Sequence, residues 1–252
     1  MTRPITLITG GSRGLGRNAA LHLAKAGHDI VLTYHSRQDE AERALAELRA
    51  AGARAQALRL DAGDVSSFPA FARALADLLQ EHWGTGQFHA LVNNAGTGLH
   101  APFAETTEAQ FDQLVNVHFK GVFFLTQRLL PLLADGGRIL NISSGLARFS
   151  LPGAAAYASM KGAVEVLTRY LAKELGPRRI SVNTLAPGAI ETDFNGGAVR
   201  DNPGLNQAIA AQTALGRVGL PDDIGAAVAA LLDPGTAWIN AQRIEASGGM
   251  YL

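Results

Sequence analysis

Apolar positions along the chain recur with two different periods. Short runs rich in Ile, Val and Leu at 5–9, 29–34, 54–60, 88–93, 137–143, 180–186 and 242–246 have the length and composition of strands. Between them, Ala- and Leu-rich stretches at 15–27, 38–51, 66–82, 107–134, 155–175 and 221–232 carry helical spacing. Thr106 or Thr107 is placed to cap the fourth of these, and Pro221 sits as a first-turn proline of the last. Strands that alternate with helices need crossover connections, which lay helices on both faces of a parallel sheet. The pattern therefore predicts an α/β fold, a doubly wound parallel sheet of about seven strands. No repeat, low-complexity tract or linker divides it, so residues 1–252 read as one domain. One region breaks the rhythm. Between 188 and 220 lie six glycines and Pro203 with weak helical periodicity, which predicts a functional loop, a lid over about 189–215.

Composition narrows the function classes. The 22 basic and 22 acidic side chains balance, so no basic field points to nucleic acid. Cysteine is absent, which removes disulfides, thiolate nucleophiles and cysteine–zinc sites. The seven histidines contain no His-x-x-x-His pair, and no metal is expected. The chain enters its first apolar run at Ile5, with no secretory leader pattern, and no apolar run approaches the 18 or so residues a membrane span needs. A cytoplasmic protein with no membrane partner is the expectation.

Directly after the first predicted strand comes Thr9-Gly10-Gly11-Ser12-Arg13-Gly14-Leu15-Gly16, and a helix pattern follows. Glycines in a strand-to-helix turn let the backbone approach a pyrophosphate, which rests on the free N–H groups of the helix start. The context predicts a Rossmann-type dinucleotide site. The same residues satisfy Gly-x-Ser-x-Gly, the elbow of serine hydrolases, but only nine residues precede Gly10 and leave no earlier loop for oxyanion donors. No Walker lysine follows, which excludes a P-loop. At the end of the second strand, Tyr34-His35-Ser36-Arg37 stands where an NAD-binding fold places a carboxylate for the ribose 2′-hydroxyl. With Arg13 in the turn and Arg37 beyond the strand, a 2′-phosphate has two candidate cations, which favours NADP(H) over NAD(H).

Tyr157 and Lys161 are four residues apart on a predicted helix and so share one face, with Ser144 thirteen residues before the tyrosine. Free tyrosine titrates near pH 10, and bringing it to about 7 takes roughly 4 kcal/mol of phenolate stabilisation. A fixed ammonium nearby supplies part of that, and so does a cationic cofactor ring, so a lowered phenol pKa is expected when both are present.

Taken in order, Thr9-Gly10-x-x-x-Gly14-x-Gly16, Asp61, Asn93-Asn94-Ala95-Gly96, Asn116 in Val-Asn-Val-His-Phe, Ser144, Tyr157-x-x-x-Lys161 and Pro187-Gly188 make the whole chain resemble the short-chain dehydrogenase/reductase family. In motif style it is similar to NADPH-dependent 3-oxoacyl-carrier-protein-reductase-like members. The resemblance implies Tyr157 as acid/base, Lys161 as the group that lowers its pKa and holds the nicotinamide ribose, and Ser144 as donor to the substrate oxygen. It implies that Asn116 positions a water linking Lys161 to solvent. Asp61 and the backbone at Ala62 would contact adenine. Asn93, Ala95 and Gly96 would pack against the cofactor, and Pro187, Gly188, Ile190 and Thr192 would meet its nicotinamide end. Ser12 and Leu15 belong to the phosphate turn.

Departures from the family pattern are Ala62 for the commoner valine, Asn240-Ala241-Gln242 for a glycine-containing turn, and Glu245-Ala246-Ser247-Gly248-Gly249 without the usual aspartate. Asn141-Ile142-Ser143 is a formal glycosylation sequon inside a predicted buried strand. Phe149, Leu151 and Phe194 are candidates to line an apolar substrate site, with core packing as the alternative; His100 is a pocket or loop residue. The helix 155–175 places Met160, Ala163, Val164, Leu167 and Leu171 on one stripe and Val166 and Tyr170 off it. A second apolar face together with the resemblance implies a homo-tetramer or dimer. The expected activity is interconversion of a small-molecule carbonyl (a ketone or a 3-oxoacyl thioester) and a secondary alcohol. A cofactor-binding regulator without turnover is the alternative from another class. Segments 97–103, 145–153 and 189–215 are expected to choose the substrate.

Overall fold

The computed structural model describes residues 3–252. Seven strands, β1 (Ile5–Ile8), β2 (Asp29–Tyr34), β3 (Ala55–Arg59), β4 (Phe88–Asn93), β5 (Leu133–Ile142), β6 (Ser181–Pro187) and β7 (Arg243–Ala246), form one sheet. All neighbours pair in parallel in the order β3-β2-β1-β4-β5-β6-β7. The order reverses between β1 and β4, and a crevice opens there at the carboxyl ends of the strands, where doubly wound folds bind ligands.

The helices are α1 (Gly14–Lys25), α2 (Gln38–Ala50), α3 (Phe68–Trp83), α4 (Glu108–Val115), α5 (Gly121–Leu129), α6 (Ala155–Glu174), α7 (Ala198–Asp201), α8 (Pro203–Ala210) and α9 (Pro221–Leu232). One layer packs Leu23, Ala41, Leu45, Leu48, Ile224 and Val228 against Ile8, Ile30 and Leu32. The opposite layer packs Phe68, Phe71, Leu75, Leu79, Leu125 and Leu129 against Leu7, Val31 and Leu91. Strands buried on both faces read as unbroken apolar runs, and this made them visible in the sequence. Thr107 does cap α4: its Oγ1 accepts from the Gln110 amide while the Gln110 side chain accepts from the Thr107 amide.

Two expectations need correction. The helix foreseen over 107–134 is interrupted: a π-turn at Asn116–Lys120 separates α4 from α5, a 3-10 turn follows at Leu130–Leu132, and β5 already begins at Leu133. In that turn the Gly121 amide reaches back five residues to the Asn116 carbonyl. The region 189–215 is also not a plain loop. It holds α7 and α8, preceded by Asn195, Gly196 and Gly197 in left-handed conformation (φ 53°, 68° and 79°). Asn141 is wholly buried in β5, which rules it out as a glycosylation acceptor in the folded chain.

Candidate active site

The turn after β1 is stapled to the turn after β4. The Asn94 and Ala95 amides donate to Thr9 Oγ1 at 3.0 and 2.9 Å, and Asn94 Nδ2 donates to the carbonyls of Thr9 and Gly10 at 2.9 and 3.1 Å. A Cβ on Gly16 would lie 2.3 Å from the Gly10 carbonyl oxygen and 2.5 Å from Asn94 Nδ2, so only glycine permits this approach. Arg13 is the N-cap of α1 in extended conformation and offers no side-chain cap, and the first turn contains no acid. The positive end of α1 and its free N–H groups face the crevice, a donor set suited to a pyrophosphate. Ser12 is buried behind the turn, and Leu15 packs against the core.

At the end of β2, Tyr34 is half-buried and His35, Ser36 and Arg37 are exposed. Arg37 is held by Asp39 and Glu40, whereas Arg13 makes no ion pair among the described residues. His35 Nε2 stands 3.5 Å from Asp61 Oδ2, and Asp61 Oδ1 accepts from the Gly63 amide at 2.8 Å. Arg59, absent from the sequence-based candidates, donates to the His35 carbonyl at 3.1 Å and orders this rim. The Ala62 carbonyl lies against Gly121, where a Cβ would come within 2.0 Å of it. Across the crevice, Pro187 ends β6, Gly188 packs against Ser247, Ile190 bridges Gly219, and buried Thr192 accepts from the Phe194 amide at 3.2 Å.

Ser144 follows β5, and Tyr157 and Lys161 lie on the first turns of α6. The Ser144 side chain lies close enough to the Tyr157 phenol to favour its ionised form, and Lys161 Nζ stands 5.5 Å from the centre of the phenol ring. Lys161 is buried and donates to the Ile142 carbonyl at 2.8 Å. Burial alone pushes its ammonium down to about 8. The tyrosine runs against expectation: burial pushes the phenol up to about 12, with the Ser144 hydrogen bond opposing it. Four residues of helical spacing bring the ammonium near the ring but do not overcome the desolvation of a phenolate. Asn116 opens the π-turn, and its carbonyl accepts from the Gly121 amide.

Asn93 lies deeper than its motif neighbours. Its amide does not face the crevice but donates to Thr126 Oγ1 at 3.1 Å and Asn141 Oδ1 at 2.8 Å inside the core. From there Asn141 donates to Thr168, which meets Thr184 at 2.7 Å, so a buried polar ladder links β4, β5 and β6 with α5 and α6. Asn94, one residue on, is the side chain that shapes the turn.

Behind Ser144 lies a network that the sequence did not announce. Glu165 accepts from Ser143 at 2.6 Å and from Arg243 at 2.8 Å. Arg243 also pairs with Glu245, which in turn accepts from Arg148 and Ser247. The departure at Glu245 is thus the hub that fastens the C-terminal segment to the catalytic strand. Over the site, Phe194 approaches Tyr157 with ring centres 6.0 Å apart, and Asn195 sits where a Cβ on Gly98 would fall. Phe149 packs against Tyr251 at 5.1 Å, while Leu151 is partly exposed. His100 lies over Gly153, joining the segments 97–103 and 145–153.

Three relatives frame this geometry. A hydroxynaphthalene reductase-like protein Arp2 of Metarhizium brunneum is 36% identical over 256 residues, covering 97% of this chain and 94% of that protein. The solved structure of LugOII, described as a promiscuous reductase catalysing keto-reduction at C1 in lugdunomycin biosynthesis, superposes with a TM-score of 0.94 at 37% identity, covering 100% of this chain and 99% of the other. The angucycline C-6 ketoreductase LanV, solved with bound NADP, gives 0.93 at 34% identity over 98% of this chain and 95% of the other. The family model described as Enoyl-(Acyl carrier protein) reductase matches residues 10–251. With the glycine turn, the Ser144–Tyr157–Lys161 set and the seven-stranded parallel sheet in place, the chain belongs to the short-chain dehydrogenase/reductase family.

Proposed function

We propose that the protein is an NADP(H)-dependent oxidoreductase that interconverts a carbonyl and a secondary alcohol, with Tyr157 as acid/base. The observation that carries this reading is the convergence of Ser144, Tyr157 and Lys161 beside an uncapped, glycine-walled helix start. A bound nicotinamide would supply or take up the hydride. Reduction leaves negative charge on one oxygen, which needs donors already aimed at it. The Ser144 hydroxyl and the Tyr157 phenol supply two, and the phenol, raised by burial, carries its proton at neutral pH. Oxidation needs the reverse transfer, and the Lys161 ammonium is the cation placed to favour the phenolate. Asn116, at the start of the π-turn, would position a water that links Lys161 to solvent. The pyrophosphate would rest on the turn from Gly10 to Gly16. Arg13 and Arg37 would take the 2′-phosphate, in keeping with the NADP bound to LanV.

The relatives named for hydroxynaphthalene and angucycline reduction support a ketone on a fused aromatic ring as the first substrate class to test, ahead of a 3-oxoacyl thioester. Exposed Phe111, Phe123, Phe124, Val166 and Tyr170 on α4, α5 and α6 support assembly as a homo-tetramer or dimer, and a cytoplasmic location fits the absence of cysteine. The experiment is a panel of fused-ring ketones, quinones and oxoacyl thioesters assayed by NADPH oxidation, with NADPH and NADH titrated into the protein. Turnover of a ketone and tighter NADPH binding are expected. No oxidation across the panel would favour the regulator, and tighter NADH binding would overturn the arginine assignment.

A further inference from the structure

We propose that His118 is a positioning residue for this reaction, a neutral imidazole in the π-turn that holds the Tyr157 ring and the Gly96–Thr97 backbone in one arrangement. The proposal rests on Tyr157 as the acid/base and adds a residue that does not itself touch the reacting atoms.

The π-turn sets where His118 lies. One residue inserted in a helix rotates everything after it by about 100°. The widened turn at Asn116–Lys120 lets His118 face inward, 1% exposed, while α5 still buries Leu125 and Leu129. There the imidazole meets the Tyr157 ring nearly edge-on, with centres 5.2 Å apart and planes at 85°. Such an arrangement is favourable and directional for aromatic pairs. Phe194 and the Lys161 ammonium also approach this phenol ring, so His118 is one of three groups that fix its tilt.

Hydrogen bonding specifies the protonation state. His118 Nε2 lies 2.7 Å from the Thr97 carbonyl oxygen and 3.2 Å from the Thr97 amide nitrogen, and the shorter contact, to an oxygen that can only accept, places the proton on Nε2. Nδ1 is then a bare lone pair, buried and without a partner among the described residues. A second proton on Nδ1 would find no acceptor, and its charge would face Lys161. Tyr157 and Lys161, both on α6, are the titratable groups that face the ring. Burial and the lysine charge hold the imidazole down to about 3, so it stays neutral through the working range. Gly96 lies against the same ring edge, where a Cβ would fall 2.7 Å from Cε1, so no larger residue fits between the imidazole and the cofactor-side backbone. Beyond Thr97 the chain continues to Gly98, on which Asn195 sits, and to Ala101, whose amide donates to the Gly153 carbonyl at 3.0 Å. One side chain therefore joins the acid/base to the segment that meets the lid.

The two halves of the role separate by substitution. His118→Gln keeps a donor able to reach the Thr97 carbonyl but loses the ring; His118→Phe keeps the ring edge but loses the donor. With a ketone substrate, His118→Gln is expected to lower kcat about tenfold with KM within about threefold, since the phenol loses its wall. His118→Phe is expected to raise the ketone KM about tenfold with kcat within about threefold, since the Thr97 segment loses its anchor. NADPH dissociation constants should move less than about threefold in both. The proposal is overturned if both variants stay within twofold of the parent, or if kcat and KM shift alike in both and follow the fall in melting temperature. Should His118→Phe fail to fold, an unchanged kcat in His118→Gln overturns it alone. Failure of the acid/base reading shows up elsewhere, as full turnover in Tyr157→Phe.

Discussion

Asn93 separates two accounts of a motif that sequence alone merges. Its side chain is 5% exposed and donates to Thr126 and Asn141, so Asn93→Ala strips a donor from two buried acceptors at once. An unsatisfied buried polar group costs about 1–3 kcal/mol, and the amide-sized void adds roughly another 1. Thr126 is a hydroxyl that can turn to a new partner, which leaves Asn141 Oδ1 as the main loss and a total of about 3 kcal/mol. In a chain of this length each kcal/mol moves the midpoint by about 2–4 °C, so thermal unfolding followed by circular dichroism should show Tm lower by about 6–12 °C. NADPH affinity, measured by fluorescence well below the transition, should change less than about threefold, because the amide faces the core and not the crevice. A variant with unchanged Tm and tenfold weaker NADPH binding would refute the reasoning and return Asn93 to the cofactor.

Other outcomes follow from the buried titratable groups and the lid. The Lys161 ammonium titrates near 8 in the fold and near 10.5 in the unfolded chain, so the fold resists its charge, fully below about pH 8 and less as pH rises towards 10.5. Lys161→Met should therefore raise the stability of the cofactor-free protein at pH 7, by up to about 3 kcal/mol before the lost Ile142 hydrogen bond is subtracted, while turnover disappears; lower stability at pH 7 would refute this. His118 and His28 titrate at about 3 and about 4 in the fold, below the 6.5 of the unfolded chain, so the unfolded state binds more protons and stability should fall as pH drops from 6.5 towards 3. Chemical denaturation at pH 7 and pH 5 checks this, and equal midpoints would contradict it. Gly98→Ala displaces Asn195 from its seat and should raise the ketone KM by roughly threefold or more with Tm within about 2 °C, whereas an unchanged KM would show that the Gly98–Asn195 contact plays no part in closure.

Much of the architecture was legible because a parallel sheet buried on both faces writes itself as seven apolar runs. The same double burial hid the difference between Asn93 and Asn94: with no polar face to alternate against, nothing in a strand's last residues says which amide points into the core. The early start of β5 went unread because Ala134-Asp135-Gly136-Gly137 looks like a turn, and the register against β4 is irregular just there. The π-turn was unreadable for another reason. Apolar spacing through 107–134 stays helical on average, and a single widened turn changes facing without changing composition. His118 therefore looked like any of seven histidines. The chemistry of Tyr157-x-x-x-Lys161 was legible as spacing, but the direction of the phenol shift was not, since burial is a property of the packed site and is the largest cause of that shift. The Glu165–Arg243–Glu245 network joins residues 80 apart in sequence and left no local pattern to find.

The central claim is that Tyr157 moves the proton. Tyr157→Phe keeps the ring beside His118 and Phe194 and removes only the hydroxyl that meets Ser144. Loss of a general acid of this kind costs about 10²–10⁴ in rate. NADPH oxidation with a turned-over ketone, read beside NADPH binding on the same preparation, should show turnover reduced at least a hundredfold or so with affinity nearly unchanged. Full turnover in the variant would contradict the assignment.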